Sequence, residues 1–200
     1  MRSTEQRISV AAMRLFTEKG AAEVTISELA NEAGVARGTL YRKFESSEEL
    51  FNRIVADFAD QMHERITKTF VGIDDAAMRL AIGVRLWVRY AHENPLRGRF
   101  AVRFALTEPS MRAMFTGPPM RDVGAGIAAG RYHVDESMAS AVASLVTGAT
   151  VSAMWMVQEG HQTWREAGSS TAELLLRALG INPDEAHTIS TAELPALPSI

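Results

Sequence analysis

Apolar residues in this chain recur at steps of three and four, and stretches that alternate apolar with polar residues are scarce. That repeat matches the turn of an α-helix and not the two-residue repeat of a strand, so it predicts an all-α fold. With 200 residues and 46% hydrophobic content, the chain can bury a substantial core. The pattern resolves into nine expected helices. The first runs from Thr4 to Lys19, lines up Ile8, Ala11, Ala12 and Leu15, and stops at Gly20.

Thr25-Ile26-Ser27-Glu28 has the spacing of a capping box, with Val24 and Leu29 placed as a hydrophobic staple. A second helix starts there and turns Ile26, Leu29, Ala30 and Ala33 inward. It ends at Gly34, which can adopt the left-handed conformation that a tight turn needs. A short third helix covers Ala36 to Phe44. Ser46-Ser47-Glu48-Glu49 reads as another capping box, opening a long fourth helix to about Phe70. A small domain at 1–47 therefore precedes a helical body at 48–180.

In the body, the expected helices cover Asp74 to Glu93, Leu96 to Thr107, Pro109 to Arg131, Glu136 to Glu159 and Ser169 to Leu179. Consecutive prolines predict a break at Gly117-Pro118-Pro119. Residues 181–200 hold three prolines and read as a loosely attached tail. No charge falls between Ser137 and Gln158. Seven serine, threonine and glutamine residues interrupt that stretch, so a core helix is expected rather than a membrane span. Met1 to Ser9 carries Arg2, Glu5 and Arg7 without an apolar run, which points to a cytoplasmic protein.

Bulk charge does not advertise a partner: the net charge is −3, and residues 1–50 hold seven Lys/Arg against eight Asp/Glu. The positive charge is local instead. Arg37, Arg42 and Lys43 fall within seven residues on the short third helix. With Leu40 turned inward, Ala36 and Phe44 share its face while Gly38 and Arg42 point the opposite way. Two short helices joined by a glycine turn, the second exposing cationic side chains, meet the requirements of major-groove insertion. Arg42 is the first candidate for reading a base edge, since its guanidinium can donate twice to guanine, and Arg37 is the second. Gly38 lets the backbone approach the groove, while Thr25, Thr39, Tyr41 and Lys43 offer phosphate contacts.

These residues resemble a known family. Thr25-Ile26-Ser27-Glu28-Leu29-Ala30, Ala33-Gly34-Val35, Gly38-Thr39-Leu40-Tyr41 and Phe44-x-Ser46-x-Glu48-x-Leu50 are similar to the TetR-type DNA-binding domain, closely over Ile8 to Leu50. The stretch Ala172 to Gly180 is of a kind common in such regulators. The resemblance implies an all-helical homodimer whose C-terminal domain binds a small effector and thereby loses affinity for a palindromic double-stranded operator. Ala36 departs from the family, where a serine often caps the recognition helix, and Ser47 stands where a phosphate-contacting lysine is frequent.

Other chemistries find little support. The five histidines, at 63, 92, 133, 161 and 187, never sit three or four residues apart, and there is no cysteine. No metal site, cofactor or catalytic nucleophile is therefore expected. The adjacent acids at 48–49 and 74–75 fall in expected first helical turns, where they read as caps. The body is rich in Met and aromatic residues, most of which individually read as core, yet such residues also build hydrophobic pockets. Trp87, Phe104, Met111, Phe115 and Trp155 are the expected effector walls, with Arg89 or Arg103 available to an anionic group. The arginines at 85, 89, 97, 99 and 103 read first as a solvated face, the alternatives being a site for an anionic effector group or salt bridges carrying a signal to the small domain. Ser140, Ser144, Gly148 and Ser152 recur every four residues and predict a dimer face, joined by Val151, Leu174, Leu175 and Ala178. The leading reading is a repressor released by a hydrophobic or amphipathic effector. The alternatives are a regulator controlled by a protein partner or without an inducer, and a helical enzyme or structural protein.

Overall fold

Both of the first two helices begin on a complete capping box. The structure, a computed structural model, describes residues 3–198, and the side chains of Met114, Phe115, Thr116 and Pro118 also lie outside the described residues. Helix α1 (Thr4–Lys19) is capped by Ser3 with a reciprocal bond from Gln6. In α2 (Ile26–Ala33), Thr25 Oγ1 accepts from the Glu28 N–H at 3.2 Å and Glu28 Oε2 accepts from the Thr25 N–H at 2.9 Å. Gly34 ends α2 at φ +62°, the left-handed turn expected there. Helix α3 (Arg37–Tyr41) is one turn shorter at its far end than the pattern predicts, and its cap residue Ala36 supplies no side-chain bond. At α4 (Ser47–Lys68) the expected box is only half made. Ser46 Oγ accepts from the Glu49 N–H, but the Glu49 carboxylate turns to the Glu45 N–H instead of Ser46.

The body continues with α5 (Ala76–Glu93), α6 (Pro95–Phe104), α7 (Pro109–Thr116), α8 (Pro118–Ala128), α9 (Ala139–Gln158), α10 (Trp164–Ala178) and α11 (Pro183–Thr191). No strand occurs among the described residues, and the fold is all-α. The break at Gly117 divides the expected long seventh helix into α7 and α8, because a helix can restart with proline in its first turn but cannot run through it. Helix α10 starts five residues earlier than expected, on a capping box of Thr163 and Glu166.

The loose tail is a correction. Asn182 caps α11, Pro183 takes the first helical position, and Ala186 and Ile189 are buried against α5 and α10. Arg131 ties it down, donating to Glu185 at 2.7 Å and to Asp75 at 2.8 and 3.0 Å. That guanidinium holds the Asp75 carboxyl below its usual range. After α11 the chain runs extended toward α4. Leu194 and Leu197 pack on the core that α4 shares, and Arg65 Nε donates to the Pro198 carbonyl at 2.6 Å.

Helix α5 lies at the centre of the body, packed by α8, α9, α10 and α11. Stacked phenylalanines join the small domain to it. Phe16 of α1 meets Phe51 of α4 at 5.0 Å, and Phe51 meets Phe104 of α6 at 4.9 Å, both edge to face. Such pairs contribute about 0.5 to 1.5 kcal/mol each beyond their buried area. The two domains thus share one core rather than being strung on a linker.

Candidate functional site

The turn between α2 and α3 is held from outside by α1. Arg7 donates to the Ala33 carbonyl through Nε at 3.0 Å and Nη2 at 2.7 Å, and Nη2 also reaches the Gly34 carbonyl. These carbonyls at the end of α2 have no partner within their own helix, so the guanidinium both caps the helix and fixes the angle at which α3 leaves it. Arg14 adds a 2.8 Å bond to Glu32, and Lys19 a 2.6 Å bond to Glu28. The Lys19 ammonium and the Thr25 N–H together bring the Glu28 carboxyl down to about 2. Local sequence patterns did not signal the part played by Arg7, whose partners lie 26 and 27 residues away.

On this scaffold α3 buries one side chain, Leu40, and presents the rest outward. Arg37, Gly38, Tyr41, Arg42 and Lys43 are exposed and Thr39 is half-buried. Arg42 Nε donates to the Gly38 carbonyl at 3.1 Å, which leaves its two terminal nitrogens directed away from the helix ladder. Lys43 is paired with Glu5 at 2.6 Å, an exposed contact that holds the Glu5 carboxyl below its usual range. A surface pair of this kind is worth roughly 0 to 1 kcal/mol and is readily exchanged for a phosphate. Thr25 sits at the edge of this surface with its hydroxyl already committed to the Glu28 box. Ser47 Oγ is buried and has no partner among the described residues. A Cβ built on Gly38 meets nothing within 4 Å, so the free chain has no steric need for glycine there.

A cleft of about 420 Å³ opens in the body between the far end of α4 and helices α5, α8 and α9. Helix α4 contributes His63, Ile66 and Thr67; α5 contributes Arg79, Leu80, Gly83, Val84 and Trp87. Opposite them stand Arg121, Asp122 and Val123 from α8 and Val146 and Thr150 from α9.

Of the expected effector residues, Trp87 lines this cleft and the others described do not. Phe104 and Met111 are buried in the core, 6% and 0% exposed, because the phenylalanine cluster claims that space. Arg89 pairs with Glu93 at 2.7 Å and lies over Trp164, while Trp155 is 45% exposed beside His161. Arg103 reaches the other way, donating to the Thr17 carbonyl of α1 at 2.7 Å, so it links α6 to the small domain. The expected contact from Phe115 falls on a side chain outside the described residues. The polar cleft residues were missed because they come from helices far apart in sequence. The one local signal was the proline break, just before Arg121 and Asp122.

Along the expected dimer face, Ser140, Ser144, Leu174 and Ala178 are exposed and Gly148 is half-buried. Val151 is 9% exposed, and Leu175 is 2% exposed because it turns into the α5–α10 packing rather than outward. Leu145 and Leu174 are large apolar side chains left 46% and 64% exposed. Residues 136–158 are long and apolar enough to cross a membrane by length and composition alone. Here this stretch packs on α5, α6 and α10. No cluster of metal-binding side chains occurs among the described residues.

A cationic helix exposed at the end of a braced helix-turn-helix, above a helical body with a cleft, is an arrangement suited to a DNA-binding regulator. The comparisons with known proteins give its family. Residues 8–54 match bacterial regulatory proteins of the tetR family, and residues 75–192 match the tetracyclin repressor-like C-terminal domain. The chain belongs to the TetR family. A helix-turn-helix regulator of Mycobacterium tuberculosis is 32% identical over 111 residues, 56% of this chain and 54% of that one. The nucleoid occlusion factor SlmA of Vibrio cholerae is 27% identical over 118 residues, 59% of this chain and 57% of its own. The matches thus span just over half the length of these curated relatives. Among solved structures, RolR in complex with resorcinol aligns with a TM-score of 0.73 at 23% identity, over 98% of this chain and 96% of RolR. FadR of Bacillus subtilis in complex with stearoyl-CoA gives 0.73 at 18% identity, over 89% of this chain and all of FadR. Those two likenesses establish the shared fold.

Proposed function

We propose that this chain is a cytoplasmic, homodimeric repressor that binds a palindromic operator through α3 and is released by a small molecule bound in the cleft. The observation that carries this reading is the reach of α4. Its first turns, with Leu50 and Phe51 buried, sit in the core shared with α1, and its last turns supply His63, Ile66 and Thr67 to the cleft. A ligand packing against the end of α4 acts on the same rigid helix that seats the small domain. The cleft volume of about 420 Å³ falls in the range usual for small-molecule sites, about 300 to 1,000 Å³. That RolR and FadR were solved with ligands supports a ligand here as well. The DNA side rests on Arg42 and Arg37 for base contacts and on Thr39, Tyr41 and Lys43 for phosphates.

The dimer is supported by the outward apolar side chains Leu145 and Leu174 beside the small residues Ser144, Gly148 and Ala178. An isologous pairing of α9 and α10 covers them and sets two copies of α3 about one helical turn of DNA apart. Titrating the protein onto DNA from its own upstream region, with and without compounds found by tryptophan fluorescence, tests the whole reading. Expected are saturable binding to an inverted repeat and loss of affinity of about 1 to 3 kcal/mol with bound compound. Compounds that bind without changing DNA affinity overturn the switch. Gly148→Glu is expected to give monomers in sedimentation and to abolish specific binding, and a monomeric wild type at micromolar concentration overturns the dimer.

A further inference from the structure

The cleft is chemically lopsided, and this is what identifies its ligand class. Its walls are largely apolar, from Ile66, Leu80, Val84, Trp87 and Val146, but the end where α5 meets α8 carries two guanidiniums, Arg79 and Arg121. Asp122 of the same lining and Asp74 beside it are the carboxylates within 4.0 Å of Arg79. Arg79 is the fixed member. Its Nε donates to the Ile73 carbonyl at 2.6 Å, and its guanidinium lies 5.8 Å from the Phe70 ring centre. Its terminal nitrogens are poorly matched by comparison. Nη1 stands 3.5 Å from Asp122 Oδ1 and Nη2 stands 4.0 Å from Asp74 Oδ1, both too long for strong charge-assisted bonds. The Arg79 side chain is only 30% exposed, so water compensates these donors incompletely.

We infer that the cleft takes a compact organic acid, its carboxylate received by the Arg79 terminal nitrogens and its apolar body lying against Trp87 and Val84. The inference rests on the effector-site reading above and deepens it. A guanidinium immobilised at Nε presents a planar two-donor edge that matches a carboxylate and has no equivalent preference for a neutral amide. Asp122 competes with the ligand for that edge and so lowers the affinity for acids.

The test is calorimetric titration of the full-length protein with benzoate and hexanoate against benzamide and hexanamide. Each acid is expected to bind at least tenfold more tightly than its amide. Arg79→Gln is expected to erase that ratio while circular dichroism shows an unchanged fold. Asp122→Asn is expected to tighten the acids several-fold and leave the amides unchanged, a change of opposite sign that a merely structural role of either residue does not produce. Amides binding as well as acids to the wild type, or an acid preference that survives Arg79→Gln, overturns the acid assignment and leaves the effector-site reading standing. If none of the four binds, the acid assignment falls, and the effector-site reading is then decided separately by the fluorescence screen on the DNA complex.

Discussion

The surface of α3 and the cleft are both built around arginine, but they hold it in opposite ways. Arg42 lies in the open just past the last turn of a five-residue helix that buries only Leu40 and has no side-chain cap at its start. Arg79 is recessed, with its Nε committed and apolar walls beside it. The first arrangement suits contact with a large, highly charged partner, where the side chain must reach outward and water screens it until binding. The second suits a small solute, which must be drawn from water into a partly dry site. The division also separates binding from stability. An exposed side chain such as Arg42, which in the free chain makes one bond to the Gly38 carbonyl, can be lost without unfolding it, whereas one that fills the scaffold cannot.

Leu40→Ala gives the largest expected effect and tests that separation directly. It should cost about 2 to 5 kcal/mol, since Leu40 is fully buried and is the anchor of α3. Thermal melts and DNA titration should then fail together. Arg42→Ala should be its converse, losing about 1 to 3 kcal/mol of operator discrimination with stability changed by no more than about 0.5 kcal/mol. A melting point that drops as far as the DNA affinity would break the comparison.

Thr25→Ala lies between the two cases and should cost about 0.5 to 2 kcal/mol as a lost cap. Its partner Glu28 supplies a pH signature. The folded carboxyl is held down from 4.5 to about 2, so its contribution is present above the unfolded value and is lost as pH falls from about 4.5 toward 2. Glu28→Gln should flatten that part of the stability profile in denaturant melts.

The smallest effect is the sharpest comparison, because Gly38 on α3 and Gly83 in the cleft are both helical glycines whose added Cβ would meet nothing within 4 Å. Either change to alanine should stabilise the chain, by up to about 1 kcal/mol. Gly38→Ala should nevertheless weaken DNA binding, whereas Gly83→Ala should keep it. Equal DNA binding by the two variants would remove Gly38 from the interface.

The small domain was legible in the sequence because its signals are local. Thr25 with Glu28, Gly34 at the end of α2, and Leu40 opposite Arg42 all act within a few residues of one another. The cleft was not, since His63, Arg79, Asp122 and Thr150 meet only after four helices have packed, and nothing in their spacing announces it. Among the described residues, Trp87 alone of the expected walls reached it. Phe104 and Arg103 had the right chemistry but were claimed by the phenylalanine cluster and by the Thr17 carbonyl. Helix α11 was hidden by averaging over the prolines of the last twenty residues. Asn182-Pro183-Asp184-Glu185 is a helix start by itself, and Pro195 and Pro198 belong to the extended segment beyond it.

That extended segment sets an order in time. Arg65 and Pro198 are 133 residues apart, so at ribosomal speed roughly ten seconds separate the making of the two ends of this contact. The contacts that brace the α2–α3 turn need no late residue, since Arg7, Gly34 and Leu40 all lie within the first fifty positions, whereas α1 also packs on the later α6. Helix α4 does need one: Arg65 lacks its Pro198 carbonyl, and the core that α4 shares lacks Leu194 and Leu197, until those residues have been made. The nascent chain can therefore brace its helix-turn-helix early, while the packing of α4, which runs from the small domain to the cleft, is finished only once residues 194–198 have left the ribosome.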